Sequence, residues 1–198
     1  MKIKILNLYC GIGGNRKLWN GDIEVTAIEN NPYIAKIYQH FFPNDKVIVA
    51  DAHQFLLEHY KEFDFIWSSP PCPTHSRMRK INVGVGERKK PLNYPDMNLY
   101  QEIIILQHFF KGKFVVENVI SYYKPLIQPI RLGRHYLWSN FAIPTIQINN
   151  TMNIKNGIRD IGFDLKGLKT NYRKDVIMRN CVEPELGLHV FKSAFKIK

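Results

Sequence analysis

Three cysteines in 198 residues, Cys10, Cys72 and Cys181, are too few and too scattered for a disulfide framework or a zinc site. A reducing, intracellular setting is the simplest reading of that scarcity. No apolar stretch is long enough to span a bilayer. The opening "MKIKILNLYCGIGG" runs into a glycine turn instead of a small-residue cleavage site, so it reads as a buried strand. Acidic residues are also scarce, with 17 Asp and Glu against 28 Lys and Arg and a formal net charge of +11. The excess favours a polyanionic partner, nucleic acid first, although a membrane surface or solubility would also account for charge alone. Internal repeats and low-complexity stretches are missing as well. What is present, 45% hydrophobic and 13% aromatic residues, suits one folded domain with a substantial core.

Strand and helix patterns alternate along the chain. "IKILNLY", "IEVTAIEN", "DKVIVAD", "FDFIWSS" and "KFVVENV" read as strands. "NPYIAKIYQHFF", with a proline suited to the first turn, "AHQFLLEHYKEF" and "MNLYQEIIILQHFF" read as helices, and "GIGGNRKLWNG" as a turn opening a short helix. Strands separated by helices imply parallel pairing, hence an α/β sheet covered on both faces. Residues 73–96, rich in Gly, Pro, Lys and Arg, form a long connection that is either an active-site lid or a solvated basic loop.

In an open parallel sheet, ligands gather at the carboxyl ends of the strands. The first strand ends in "YCGIGG", the second at Glu29, which could hold a ribose diol, and the third at Asp51, which could accept from an adenine amine. This is the layout of a nucleoside-containing cofactor site. The turn lacks G-x-x-x-x-G-K-[ST] and the third glycine of the dinucleotide fingerprint, so a phosphate-poor nucleoside such as S-adenosylmethionine fits better than ATP or NAD.

The fourth strand ends in "SSPPC", with Cys72 beyond two prolines that fix the backbone direction. Arg77, Arg79, Lys80 and His75 nearby predict a lowered thiol pKa. The fifth strand ends in "ENV", which brings Glu117 to the same edge and makes covalent catalysis with acid assistance feasible. Taken separately, an inert buried cysteine and a helix-capping glutamate are the bland alternatives.

"LNLYCGIGG", "SSPPC" and "VVENV" together resemble, in order and rough spacing, the DNA cytosine-5 methyltransferase family. The likeness runs over residues 2–144, with an echo at "RNCVEPELGLHVF". It implies a Rossmann-like, S-adenosyl-L-methionine-dependent α/β fold, with a mostly parallel sheet flanked by helices on both faces. By the resemblance, Cys72 is the nucleophile that attacks carbon 6 of cytosine, and Glu117 contacts N3 and the exocyclic amine, with Asn118 supporting its turn. Tyr9, Gly11, Ile12, Gly13 and Gly14 match the methionine-side turn. Glu29 with Asn30, and Asp51 with Ala52, match the ribose and adenine contacts. Pro70 and Pro71 match the strand-end prolines, and Asn180 and Val182 the terminal G-N-S-V motif, with Cys181 in place of the serine.

The departures are as informative. Pro73 stands where the family carries Gln. The Q-x-R-x-R motif, whose arginine touches the base, has only Arg131 and Arg134 as counterparts, and Arg134 is favoured because it directly precedes a strand. Where bacterial members insert a sizeable target-recognition region, this chain offers residues 143–178, a short insert or simply a connector and edge hairpin. Residues 179–198 would supply the cofactor-side motif and a helix, within one catalytic domain over 1–198. Selectivity should then be short, loose or supplied by a partner. An enzyme attacking carbon 6 needs a flipped or single-stranded cytosine, with Ser76, Arg77, Arg79, Lys80 and Arg131 on the nucleic acid. The resemblance implies DNA as substrate and a cytoplasmic setting in a bacterial or phage-infected cell. The same chemistry on tRNA or a free cytidine nucleotide, and a non-catalytic nucleic-acid binder, are the alternatives.

Overall fold

A computed structural model describes residues 2–77, 94–146, 154–155 and 158–196. Five strands run parallel: β1 (Ile3–Leu8), β2 (Ile23–Glu29), β3 (Lys46–Val49), β4 (Phe65–Ser68) and β5 (Lys113–Val119). The sequence pattern placed all five. Two more, β6 (Ile130–Leu132) and β7 (His135–Ser139), complete a sheet of order β3-β2-β1-β4-β5-β7-β6, with β7 antiparallel to β5 and β6. Because β1 pairs with β2 on one side and β4 on the other, the chain reverses its winding at β1. In open parallel sheets ligands bind outside the carboxyl edge at such a reversal.

The flanking helices are α1 (Pro32–Phe41), α2 (Ala52–His59), α3 (Asn98–Phe109), α4 (Lys174–Arg179) and α5 (Pro184–Phe195). Pro32 opens α1 as the sequence suggests, and the Asn31 side chain caps it by accepting from the Tyr33 and Ile34 amides. Residues 5–8 and 65–68 are buried without alternation, the signature of a sheet covered on both sides. On one face Val25, Phe65, Trp67 and Val115 pack against Leu186, Val190 and Phe191 of α5. On the other, Leu6, Ile66 and Val116 meet Leu56 of α2 and Leu99, Ile103 and Leu106 of α3. Each fully buried aliphatic or aromatic side chain contributes about 1.5–3 kcal/mol, so these two layers dominate the stability.

One expectation is corrected. Residues 11–17 form successive turns and no helix, because Gly13 sits at φ +86° and the amides of Gly13 and Arg16 bond three residues back, to Cys10 and Gly13. Within residues 143–178, β8 (Ile154–Lys155) and β9 (Ile158–Arg159) pair as a separate hairpin. Phe163, Leu165, Ile177 and Met178 pack with Ile12 and with Ile34 and Ile37 of α1. Among the described residues no helix is long and apolar enough to cross a membrane.

Candidate active site

The carboxyl ends of β1, β2, β4 and β5 and the start of β7 lie along one edge of the sheet. The Gly-rich turn that follows β1 is held from below and from the side. Asn7 and Asn15, both buried, join side chains at 2.8 Å. An added Cβ at Gly14 would lie 2.4 Å from the Val182 carbonyl oxygen, and one at Gly187 would lie 2.1 Å from the Asn15 carbonyl oxygen, so the terminal segment rests directly on the turn. Ile12 is fully buried and anchors the turn, while Gly13 abuts the rings of Phe42 and Tyr38. Gly11, at φ +55°, has nothing within 4 Å of an added Cβ, and its surroundings are open to a ligand.

Glu29 reaches this turn. Its carboxylate accepts from Gly11 N at 3.1 Å and Asn31 N at 2.9 Å. Burial raises its pKa, and the amides of Asn31, Gly11 and Asn30 oppose the rise. Asp51 is exposed and caps α2 through Gln54 N at 2.8 Å, followed by buried Ala52. Exposed Asn180 ends α4, and buried Val182 follows it. An open glycine turn beside two carboxylates at successive strand ends is a donor set that fits a nucleoside with a ribose diol. S-adenosylmethionine would be held there by Gly11, Glu29 and Asp51.

Beneath Tyr9 lies a buried acid that the sequence reading passed over. Glu102 of α3 is fully buried; Oε1 accepts from the Tyr9 hydroxyl at 2.6 Å and meets His53 Nδ1 at 3.0 Å, and Oε2 accepts from Ser68 Oγ at 2.5 Å. The hydrogen bond to Glu102 raises the His53 pKa, and burial beside the same carboxylate raises that of Tyr9. Its signal was a lone acid on a helix face shared with Leu99, Ile103 and Leu106.

Cys72 is half-buried in a turn whose carbonyl takes the amides of His75 and Ser76, each at 3.0 Å. Asn118 Nδ2 donates to the carbonyl of buried Pro70 at 3.0 Å, which ties β5 to the segment that carries Cys72. The expectation of a lowered thiol pKa is corrected. Burial raises it first, the Glu117 charge raises it further, and the Cys72 amide and the Arg134 charge only partly offset this. His75 adds no cation, because it is buried against the Tyr123 hydroxyl at 2.5 Å and burial lowers its pKa. Arg77 is exposed and donates to Ser121 O at 3.2 Å, while Arg79 and Lys80 lie outside the described residues. Ser76 bridges to Ser121, and Arg131 is exposed on β6.

Glu117, 7% exposed, meets His135 Nδ1 through Oε1 at 2.5 Å. His135 Nε2 meets Glu183 Oε2 at 2.8 Å, and Arg134 Nε donates to Glu183 Oε1 at 2.9 Å. Arg134 Nη2 also donates to Cys181 O at 3.2 Å, so its guanidinium is engaged with the terminal segment. Burial alone would lower the His135 pKa, but Glu117 and Glu183 outweigh it and raise it to about 9. Sequence reasoning missed His135 and Glu183, since strand pairing and a contact across 48 positions bring them together.

The family profile described as "C-5 cytosine-specific DNA methylase" matches residues 3–125. Over 87 residues, 40% of this chain, the sequence is 34% identical to a tRNA (cytosine(38)-C(5))-methyltransferase of Spodoptera frugiperda. Over 64 residues, 29% of this chain, it is 34% identical to a probable DNA (cytosine-5)-methyltransferase of Frog virus 3. The matches span 26% and 30% of those relatives' own lengths. A solved structure of a Spodoptera frugiperda DNMT2 mutant matches with a TM-score of 0.38 and 26% identity, covering 60% of this chain and 36% of that one.

Proposed function

The chain belongs to the C-5 cytosine-specific DNA methylase family, and from that premise we propose that it methylates carbon 5 of cytosine in DNA through a covalent adduct on Cys72. The observation that carries the reading is the placement of Cys72 beyond the end of β4 and of Glu117 near the end of the adjacent parallel strand β5, the two segments tied together by the Asn118–Pro70 hydrogen bond. Cys72 Sγ adds to carbon 6 of a flipped or single-stranded cytosine as its proton passes to Glu117, and electron density moves to carbon 5 and N3. Glu117 passes that proton to N3 and accepts from the exocyclic amine, so the negative charge that develops at N3 is neutralised. When bound, S-adenosylmethionine supplies the electrophilic methyl group. Water then takes the carbon-5 proton, the Sγ–carbon 6 bond breaks, and the proton held at N3 returns through Glu117 to restore the Cys72 thiol.

The raised thiol pKa fits this sequence of events. A thiol kept protonated in the free protein reacts once a base displaces water and its proton has somewhere to go. Arg77 and Ser76, with Arg79 and Lys80 after them in sequence, would take phosphates, and so would Arg131. Residues 143–178 would act as the short insert ahead of the terminal motif. The setting would be the cytoplasm of a bacterial or phage-infected cell, with sequence selectivity from a partner.

DNA carrying 5-fluorocytosine tests the chemistry, because the fluorine blocks loss from carbon 5 and traps the adduct. The wild-type protein should form a denaturation-resistant complex and Cys72→Ser should form none; an adduct that survives the substitution removes Cys72 from the role. The likeness to the insect tRNA (cytosine(38)-C(5))-methyltransferase supports tRNA as a second substrate. Methyl transfer compared on duplex DNA, tRNA and dCMP separates the readings.

A further inference from the structure

We infer that His135 is the positioning residue for Glu117, holding the carboxylate through Oε1 and leaving Oε2 to the substrate, with Glu183 and Arg134 fixing the imidazole from behind. The inference rests on the reading of Glu117 given above and concerns a residue type that the family resemblance did not suggest, since that resemblance pointed to an arginine.

The hydrogen-bond inventory carries it. Each ring nitrogen of His135 faces a carboxylate oxygen, at 2.5 Å to Glu117 and 2.8 Å to Glu183. Ionised carboxylates only accept, so two of them call for two N–H donors, and the imidazolium alone supplies both. A neutral ring would aim a lone pair at one carboxylate inside a site where His135 is only 4% exposed. Among the described residues no donor reaches Glu117 Oε2, so the oxygen on the far side of the carboxylate stays available to a base.

The arrangement also excludes the nearest competitor. Arg134 is a neighbour in sequence, but its guanidinium spans Glu183 Oε1 and the Cys181 carbonyl, 45% exposed at the side chain. Its service to Glu117 is indirect: it orients Glu183, which orients His135. The charged groups around the ring are Glu117 from β5, Glu183 ahead of α5, Arg134 beside it, and the Cys72 thiol, which feels both Glu117 and Arg134.

An imidazolium differs from an arginine in that it can be discharged. With its pKa raised to about 9, His135 stays charged at neutral pH and loses its proton as the pH climbs past that value. The grip on Glu117 should weaken there. Ionisation of Cys72 changes reactivity in the opposite direction, rising with pH, so a loss of rate on the alkaline side cannot come from the thiol.

Two measurements test this. In the free protein, NMR titration of the His135 ring should give a midpoint near 9 in the wild type and one lower by about a unit or more in Glu117→Gln; a wild-type midpoint at the ordinary histidine value overturns the inference. In methyl-transfer assays on DNA and tRNA, His135→Gln should lower kcat about 100-fold with little change in the KM for the methyl donor. His135→Arg should recover much of the rate and lose the alkaline decline. Wild-type transfer that His135→Gln leaves unchanged sinks the positioning role and leaves the reaction standing. A high titration midpoint in a protein that transfers no methyl group to either substrate sinks the reaction and supports the hold of His135 on Glu117.

Discussion

Gly187→Ala is a perturbation whose sign depends on whether α5 truly rests on the Gly-rich turn. In the interior of an isolated helix the change gains about 1 kcal/mol, because alanine loses less backbone entropy than glycine. Here the new methyl would lie 2.1 Å from the Asn15 carbonyl oxygen and 2.7 Å from that residue's Cα and carbonyl carbon, all backbone atoms that cannot rotate away. Overpacking of this kind costs about 1–3 kcal/mol, and contact with main chain belongs at the upper end. The net expectation is a loss of about 2 kcal/mol, or about 4–8 °C in Tm for a chain of this size. Because Asn15 also bonds Asn7 beneath the turn, the shift should reach Gly11 and weaken S-adenosylmethionine binding measured by calorimetry. Gly11→Ala is the contrasting control: its Cβ meets nothing, so only left-handed strain of about 1–2 kcal/mol opposes it, while the methyl enters the space proposed for the ligand. An unchanged or raised Tm for Gly187→Ala would refute the docking of α5 and, with it, the coupling of that helix to the cofactor turn.

Two further outcomes follow from the charged groups. Alkylation of Cys72, followed by mass spectrometry of its peptide, should be slow at neutral pH and accelerate above the pKa of an ordinary thiol. Glu117→Gln should hasten it at fixed pH by removing a charge that raises the thiol pKa; a rate already at its plateau at neutral pH would contradict the burial argument. Glu102→Ala strips the shared acceptor from Tyr9, His53 and Ser68, and should cost about 3 kcal/mol in urea unfolding. Since the His53 pKa is raised in the folded protein, its contribution is fully present below the ordinary histidine pKa and fades as the pH rises through the folded value. A wild-type and variant stability gap that widens with pH in that range would contradict the pairing.

Local signals carried much of the architecture. Five parallel strands, Pro32 at the start of α1, and the placement of Gly11, Glu29, Asp51, Cys72 and Glu117 at one sheet edge all follow from periodicity and strand-end position. What failed was local in appearance but set by distant packing. Residues 11–21 read as a turn opening a short helix, yet the local path is shaped by Gly13 against Phe42 and by Gly14 against Val182. Cys72 looked activated because Arg77, Arg79 and Lys80 follow it in sequence. Among the described residues the charges that act on it in space are Glu117 and Arg134, and burial exceeds both. His135 looked like filler between Arg134 and an apolar strand, and only the register that sets it opposite Val119 and the return of residue 183 give it two carboxylates.

The hydrogen bond from Trp19 Nε1 to the Gly187 carbonyl joins residues 168 positions apart, beside the Gly-rich turn proposed to hold the methyl donor. On a ribosome, every residue that the family profile matches has been made by residue 125, while the surface on which that turn rests has not. Closing so wide a loop is slow, so the first turn should remain unlocked until α5 is made and docks. A fragment that ends after the matched region would still carry the family signature, and the turn proposed to hold the methyl donor would lack the surface on which it rests.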